Sequence, residues 1–219
     1  MSPPKHAVIT AAGLGSRLGM NIPKCLVPVA GKSIIDRQLE LLQDIEDVRI
    51  VVGFQRAEVI AHVRRIRSDV IYVCNHGYAN TSVLQSLFLG CQGIDEPFLV
   101  LDGDVIPDAF SFRDFLGRFS KGEPLTAICK ANSTDPVYAT VDPIGADGAT
   151  TLRSLQREPG SEWEWPGVSI MKPSMVEYRA TFVYQQVQQF LPMPAYELRC
   201  WEIDTPQDLV RAERAFRRD

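Results

Sequence analysis

The chain has 219 residues, 45% of them hydrophobic and 23% charged, with a net charge of −4. That length suits one large α/β domain, able to bury roughly 70% of the surface its unfolded chain exposes. The mild acidity without a basic block argues against a nucleic-acid-binding surface, and no apolar run approaches the roughly 20 residues of a membrane span.

Met1-Ser-Pro-Pro-Lys5 runs straight into a strand-like segment, without the pattern of a signal peptide. Cys25, Cys74, Cys91, Cys129 and Cys200 are odd in number and scattered through apolar segments. They form no C-x-x-C pair and read as reduced, mostly buried thiols. Together these features predict a cytoplasmic protein.

The first strand ends in the small residues Ala11, Ala12 and Gly13, followed by Gly15-Ser16-Arg17-Leu18-Gly19 and then Pro23-Lys24. Small side chains let a flat ligand lie against the backbone, and the N–H groups of such a loop can form a nest for phosphate oxygens. Arg17 adds a planar fork and Lys24 a mobile point charge. No segment supplies the Walker pattern G-x-x-x-x-G-K-[ST]. The dinucleotide fingerprint fails as well, because position 18 is Leu and the third glycine falls late, at Gly19. The stretch reads as a strand followed by a triphosphate-binding loop; the plainer alternative is a glycine-rich turn.

Ser33 and Asp36 form a helix start, after which Ile35, Leu39 and Leu42 recur at helical spacing. A strand over 48–52, a helix over about 56–67 and a strand over 69–74 follow. The arginines of that helix form a solvated face. Strands alternating with helices at these lengths imply βαβ units and a mostly parallel sheet. The polar stretch Asn75 to Ser82 opens a helix whose expected buried face is Val83, Leu84, Leu87, Phe88 and Cys91, with Asn80 or Thr81 as its N-cap. It also lies beyond the carboxyl ends of the strands, where ligands sit in open α/β sheets.

The apolar strand over 97–101 suits the centre of a parallel sheet and ends in Asp102-Gly-Asp104. Two carboxylates so placed are costly together without a cation. A hard divalent ion with oxygen ligands, Mg²⁺ on nucleotide phosphates, answers that. The alternative is an acidic helix cap, a role that Asp108 can fill. Beyond this point the chain reads as a strand over 125–130, then a hairpin of 137–142 with 150–155 across the Gly145–Gly148 turn. A helix from about 174 towards 191 follows. Thr205, Pro206 and Asp208 make a strong start for a last helix, docked by Leu209, Ala212 and Phe216.

Three of these pieces, the loop with Arg17 and Pro23-Lys24, Asp102-Gly-Asp104, and Ile203-Asp204-Thr205, resemble the signature of nucleotidyltransferases. These enzymes join a nucleoside triphosphate to a phosphorylated acceptor and release pyrophosphate. The resemblance spans nearly the whole chain. It implies a Rossmann-like open, mixed and mostly parallel sheet flanked by helices, in a single domain with a nucleotide-binding half over about 1–124 and a more β-rich acceptor half over about 125–219. It implies catalytic roles for Lys24, Arg17 and Asp104, and Mg²⁺ held by Asp104 and Asp204. Nucleotide contacts fall to Ala11, Ala12, Gly13, Gly15, Ser16, Arg17, Lys24, Asn80, Ser82 and Asp102. A glycosyltransferase would share the sheet, the Asp-x-Asp and the metal, but its donor has no γ-phosphate for Arg17 and Lys24 to hold. His6, His62 and His76 show no metal or triad spacing.

For the acceptor, sugar-1-phosphate pyrophosphorylases of this kind carry a Glu-Lys-Pro tripeptide whose Lys binds the sugar phosphate. The matching residues here are Arg157-Glu158-Pro159, without that Lys. Trp163 and Trp165 alternate with Glu162 and Glu164, a composition that suits an ammonium group and equally suits a strand packed on the core. Tyr78, Lys130, Glu158, Trp163 and Trp165 are the candidate acceptor residues. The chain is similar to CTP-dependent cytidylyltransferases acting on phosphocholine or 2-aminoethylphosphonate. The resemblance thus implies CTP and a small phosphorylated or phosphonate acceptor as partners of a monomer or homodimer. A sugar-1-phosphate transferase is the second reading.

Overall fold

The computed structural model describes residues 3–120 and 122–217. In chain order the first half comprises β1 (His6–Ala11), β2 (Pro28–Val29), β3 (Lys32–Ser33), α1 (Ile34–Leu41), β4 (Asp47–Val52), α2 (Arg56–Val63), β5 (Ile71–Cys74) and α3 (Val83–Gly90). It continues with β6 (Phe98–Asp102), β7 (Val105–Pro107) and α4 (Ala109–Gly117). The second half comprises β8 (Leu125–Lys130), β9 (Tyr138–Val141), β10 (Ala149–Gln156), β11 (Trp163–Glu164), β12 (Val168–Met171), α5 (Val183–Val187), β13 (Met193–Glu197), β14 (Cys200–Glu202) and α6 (Pro206–Phe216).

Ten strands form one sheet in the order β11-β9-β10-β13-β8-β12-β6-β1-β4-β5. The run β6-β1-β4-β5 is parallel, as the strand–helix alternation predicts. The strands that follow α4 turn the sheet mixed: β12 lies antiparallel between β6 and β8, and β9, β10 and β11 form an antiparallel corner. Parallel central strands are covered on both faces, and alternate residues of β1 show it. Ala7, Ile9 and Ala11 pack with Ile35 and Leu39 of α1, whereas Val8 packs with Leu84 and Leu87 of α3. A third cluster joins Leu18, Val27 and Ile34 to Ile203 and Ala212, fastening α6 beneath the loop after β1.

Helix starts follow local chemistry. Ser33 with Asp36, and Thr205 with Asp208, form reciprocal capping boxes, and Asp108 caps α4. At α3 the cap is Ser82 with Gln85 rather than Asn80 or Thr81. Thr81 is instead engaged by buried Asn75, whose amide also bonds Ser86. The helix expected over 174–191 is reduced to α5 between two single turns. Phe182 sits in the extended region, so the helix can begin only after it, and the Gln188 side chain accepts the Leu155 amide of β10 at 2.7 Å. No disulfide links the five cysteines; Cys74 is exposed and the other four are buried. Among the described residues no helix is long and apolar enough to cross a membrane.

Gly90 is where α3 meets the sheet. A Cβ there would stand 2.6 Å from Val8 Cγ1 and 2.7 Å from Val51 Cγ2, both fully buried strand residues. Gly90→Ala is therefore expected to destabilise by about 1–2 kcal/mol, overpacking outweighing the gain in helix propensity. A thermal melt should fall by about 3–6 °C; an unchanged or higher melting temperature would show that α3 is not seated against β1 and β4.

Candidate active site

The loop after β1 is built from backbone requirements. Gly15 has φ +59°, a left-handed conformation, and a Cβ there would approach Lys24 Cβ at 3.2 Å. Ser16–Leu18 then make one tight turn, exposing Arg17 while Leu18 is buried. A second turn over Lys24–Leu26 buries Cys25 and aims Lys24 inward. Ala11, Gly13, Gly15, Ser16, Arg17 and Lys24 line a cavity of about 250 Å³ with Asp102, Asp104 and Asp204.

The carboxylates opposite arrive from two places in the chain. β14 pairs antiparallel with β7, and the Ile203 amide donates to the Asp104 carbonyl at 2.9 Å. This pairing sets Asp104, Glu202 and Asp204 together, each offering an oxygen, with all three oxygens within 4.8 Å of one another. Glu202 was not anticipated as part of the site. Strand alternation could have found it: residues 202 and 204 face the same way, while Ile203 between them is fully buried. Asp204 is also held from behind, since the Asp208 carboxylate accepts the Asp204 and Thr205 amides at 3.2 and 2.8 Å.

The bases meet the acids directly. Lys24 Nζ lies 2.5 Å from Asp104 Oδ2 and also contacts Asp204, while Arg17 Nη2 lies 2.6 Å from the second Asp204 oxygen. Burial acts to discharge Lys24, but the charges of Asp104 and Asp204 outweigh it and raise its pKa, so the ammonium persists at neutral pH. Burial, reinforced by Asp104 and Asp204, raises the Glu202 carboxyl well above the usual range.

Asp102 plays a different part from Asp104. It is pushed up to about 7 by burial and then by the Asp104 charge, against a bond from Thr10 Oγ1 at 2.7 Å. Gly167, at φ +74°, leaves the space this carboxylate fills.

A second cavity of about 180 Å³ shares Arg17, Lys24, Asp104 and Asp204 and extends along Val137, Arg157, Phe182 and Tyr184. Of the acceptor candidates, only Trp165 borders it. Trp165 is otherwise a core residue, 7% exposed, with Nε1 donating to Thr126 and Ser169 hydroxyls. Trp163 lies elsewhere: it borders a separate hollow with Thr140 and Pro143, and the Lys130 ammonium already rests 3.7 Å from its ring centre. Lys130 is also paired with Glu162 at 2.7 Å. Glu164 is buried and accepts from the Asn132 and Ser133 amides and the Ser133 hydroxyl, which satisfies it internally. The two tryptophans and their intervening acids therefore do not form a cage. Glu158 is exposed and outside the cavity; its neighbour Arg157 lines it.

Of the remaining candidates, Tyr78 packs its Cβ against Gly53 and lies outside both cavities, as do exposed Asn80 and the Ser82 cap. Ala12 is buried beneath the loop. Val83, expected on the buried face of this helix, is instead exposed directly after the cap, where it lines both cavities.

Residues 7–162 match the MobA-like NTP transferase domain. The chain belongs to that family. This NTP transferase domain is similar to the CMP-5'-(3-aminopropyl)phosphonate synthase of Streptomyces rubellomurinus, with 30% identity over 86% of the chain and 30% of the relative. It is also similar to the bifunctional protein GlmU of Methanococcus vannielii, 32% identical over 96% of the chain and 49% of the relative. The chain thus spans from 30% to about half of the length of these relatives. Among solved structures, a UDP-glucose pyrophosphorylase complexed with UDP-glucose superposes with a TM-score of 0.80 at 15% identity, covering 98% of this chain and 99% of that one. The CTP:phosphocholine cytidylyltransferase of Streptococcus pneumoniae superposes at 0.76 and 24% identity, covering 97% and 99%. At these identities both show the nucleotidyltransferase fold. The NTP transferase domain, with its sheet, loop and opposing carboxylates, is that of an enzyme that transfers nucleotidyl groups.

Proposed function

We propose that this transferase moves CMP from CTP to a small amine-bearing phosphonate or phosphate acceptor and releases pyrophosphate. We further read the chain as one transferase unit, with nucleotide contacts drawn from residues 1–124 and acceptor contacts from 125–219. The observation that carries the reaction class is the meeting of Lys24 and Arg17 with Asp104 and Asp204 at the loop mouth, with Glu202 beside the two aspartates. Choice of cytidine and of acceptor is supported by the similarity to an aminopropylphosphonate CMP synthase over most of the chain.

In this reading, an acceptor oxygen attacks the α-phosphorus, the new O–P bond forms, and the bond to the β-phosphate oxygen breaks as pyrophosphate departs. The acceptor oxygen is already anionic, so no side chain need remove a proton. Arg17 and the Gly13–Ser16 amides hold the β- and γ-phosphates, and Lys24 stabilises charge growing at the α-phosphate. Three oxygen donors converging on one point fit a hard divalent cation, with Asp104, Glu202 and Asp204 as holders. Bound there, Mg²⁺ would supply Lewis-acid polarisation and a template for the phosphates. With a cation held by the carboxylates, Lys24 and Arg17 would be free to turn towards the nucleotide.

The second reading, a sugar-1-phosphate acceptor, is favoured by the similarity to the GlmU protein. Against it stands position 158, where an exposed glutamate replaces the lysine of the pyrophosphorylase tripeptide. Pyrophosphate release with Mg²⁺ decides between them, using CTP, UTP, dTTP, ATP or GTP against phosphoethanolamine, 2-aminoethylphosphonate, phosphocholine or glucose-1-phosphate. Release with CTP and an amine-bearing acceptor is expected. Release with glucose-1-phosphate alone would overturn the acceptor assignment, and hydrolysis of a nucleotide sugar without any pyrophosphate release would overturn the reaction.

A further inference from the structure

The acceptor side of the cleft holds a seat for a cation, and the chain's own Arg157 sits in it. The rings of Phe182 and Tyr184 are stacked, 5.8 Å apart and 24° from parallel, at the edge of the smaller cavity. The Arg157 guanidinium stands 5.9 Å from the first ring centre and 5.5 Å from the second. Asp135 closes the seat: Arg157 Nη1 lies 3.0 Å from its carboxylate and 2.5 Å from its carbonyl oxygen. Two aromatic faces and a carboxylate are the surroundings that stabilise an organic cation.

We propose that Arg157 selects the acceptor: by filling the Phe182–Tyr184–Asp135 seat, it excludes acceptors with a quaternary ammonium tail and admits those with a primary ammonium. The proposal rests on the reading of an amine-bearing acceptor. A quaternary ammonium has no N–H and can be bound only by aromatic faces and the diffuse field of an anion. Arg157 already lies over both rings, and a second cation brought onto them meets its charge. A primary ammonium is smaller and carries three donors, so a single free carboxylate oxygen is enough to hold it. Asp135 has such an oxygen: among the described residues Oδ2 is engaged only by Arg17, at a loose 3.4 Å. Arg17 reaches the nucleotide loop from the same spot, so phosphates that draw it away free Oδ2 beside the acceptor. The chain thus offers the primary amine a place and leaves the methylated one without any.

Phosphoethanolamine and phosphocholine differ only in N-methylation, so their kcat/KM values with CTP test this directly in the wild type, Arg157→Ala, Arg157→Gln and Arg157→Lys. The wild type should prefer phosphoethanolamine. In Arg157→Ala and Arg157→Gln the phosphocholine-to-phosphoethanolamine ratio should rise at least tenfold, mainly through KM, while Arg157→Lys keeps the wild-type ratio. A ratio unchanged within threefold, an equal loss with both acceptors, or a wild type that prefers phosphocholine would overturn the proposal. Calorimetry with choline alone gives a readout independent of turnover, in which Arg157→Ala should bind at least tenfold more tightly than the wild type. Equal choline binding by both proteins defeats the role of Arg157. Absence of CMP transfer to any amine-bearing acceptor, with the choline difference intact, defeats only the reading of the reaction.

Discussion

Lys24→Ala is expected to lower kcat by about 10²- to 10³-fold, equivalent to about 2.7–4 kcal/mol of lost transition-state stabilisation. The charge lost is one held by two carboxylates against the opposing effect of burial, and its side chain is 16% exposed. The same substitution should cost stability. A lysine whose folded pKa lies above its unfolded value contributes fully below about pH 10.5, and the contribution fades only as pH rises through the folded value. At pH 7 the variant therefore loses the whole of it: Asp204 keeps Arg17, while Asp104 and Glu202 have no paired base left among the described residues. Added Mg²⁺ should restore more of the melting temperature in Lys24→Ala than it adds to the wild type, because the ion answers the same three charges. This separates the two roles of the residue: metal recovers the fold but not the rate. A variant within tenfold of wild-type kcat would remove Lys24 from the chemistry.

Much of the site is written in local sequence. The loop needs small residues and a left-handed glycine, and Gly15 and the caps at Ser33 and Thr205 stand where their neighbours require them. Arg17 and Lys24 lie far from Asp104 and Asp204 in the chain, yet each is marked by its own turn or cap, and the structure brings all four together. What failed was information about facing. Alternation put Trp163 and Trp165 on one side of a strand but could not say whether that side met the cleft or the core, and the answer depends on β11 pairing with β8 and β9. One position separates exposed Glu158 from Arg157 at the cavity, and no local rule decides which of the two points inward at the end of β10. The long helix expected after Ser174 failed because the chain makes only one turn at Pro173–Met175, Phe182 is extended, and Gln188 is recruited by β10, a tertiary contact that overrides spacing.

Glu202 and Asp204 should answer mutation with the same loss of activity and opposite changes in stability. Both carboxylates belong to the trio that fits a divalent cation, so Glu202→Gln and Asp204→Asn are each expected to weaken Mg²⁺ binding about 10-fold or more and to lower the rate accordingly. Asp204, however, anchors both Lys24 and Arg17, and its backbone is tied to the cap of α6. Removing its charge leaves two cations without their shared partner and should destabilise by about 1–3 kcal/mol. Glu202 is in the reverse situation. Burial and two neighbouring carboxylates disfavour its charge, and no basic side chain among the described residues is paired with it. A carboxyl whose folded pKa is raised destabilises the fold once pH exceeds its unfolded value, so the neutral Glu202→Gln should be the more stable protein at pH 7 and gain nothing at pH 4. A gain of about 1 kcal/mol would raise the melting temperature by about 2–4 °C. Melts at the two pH values, with Mg²⁺ titrated against activity, check both halves. A Glu202→Gln protein that keeps full activity at low Mg²⁺ would remove Glu202 from the metal-holding trio, and one that melts lower at pH 7 would show that its charge is compensated. A glutamate retained at a cost to stability is what a binding site for an external cation requires: the charge is unfavourable to the fold and becomes favourable only when the ion arrives.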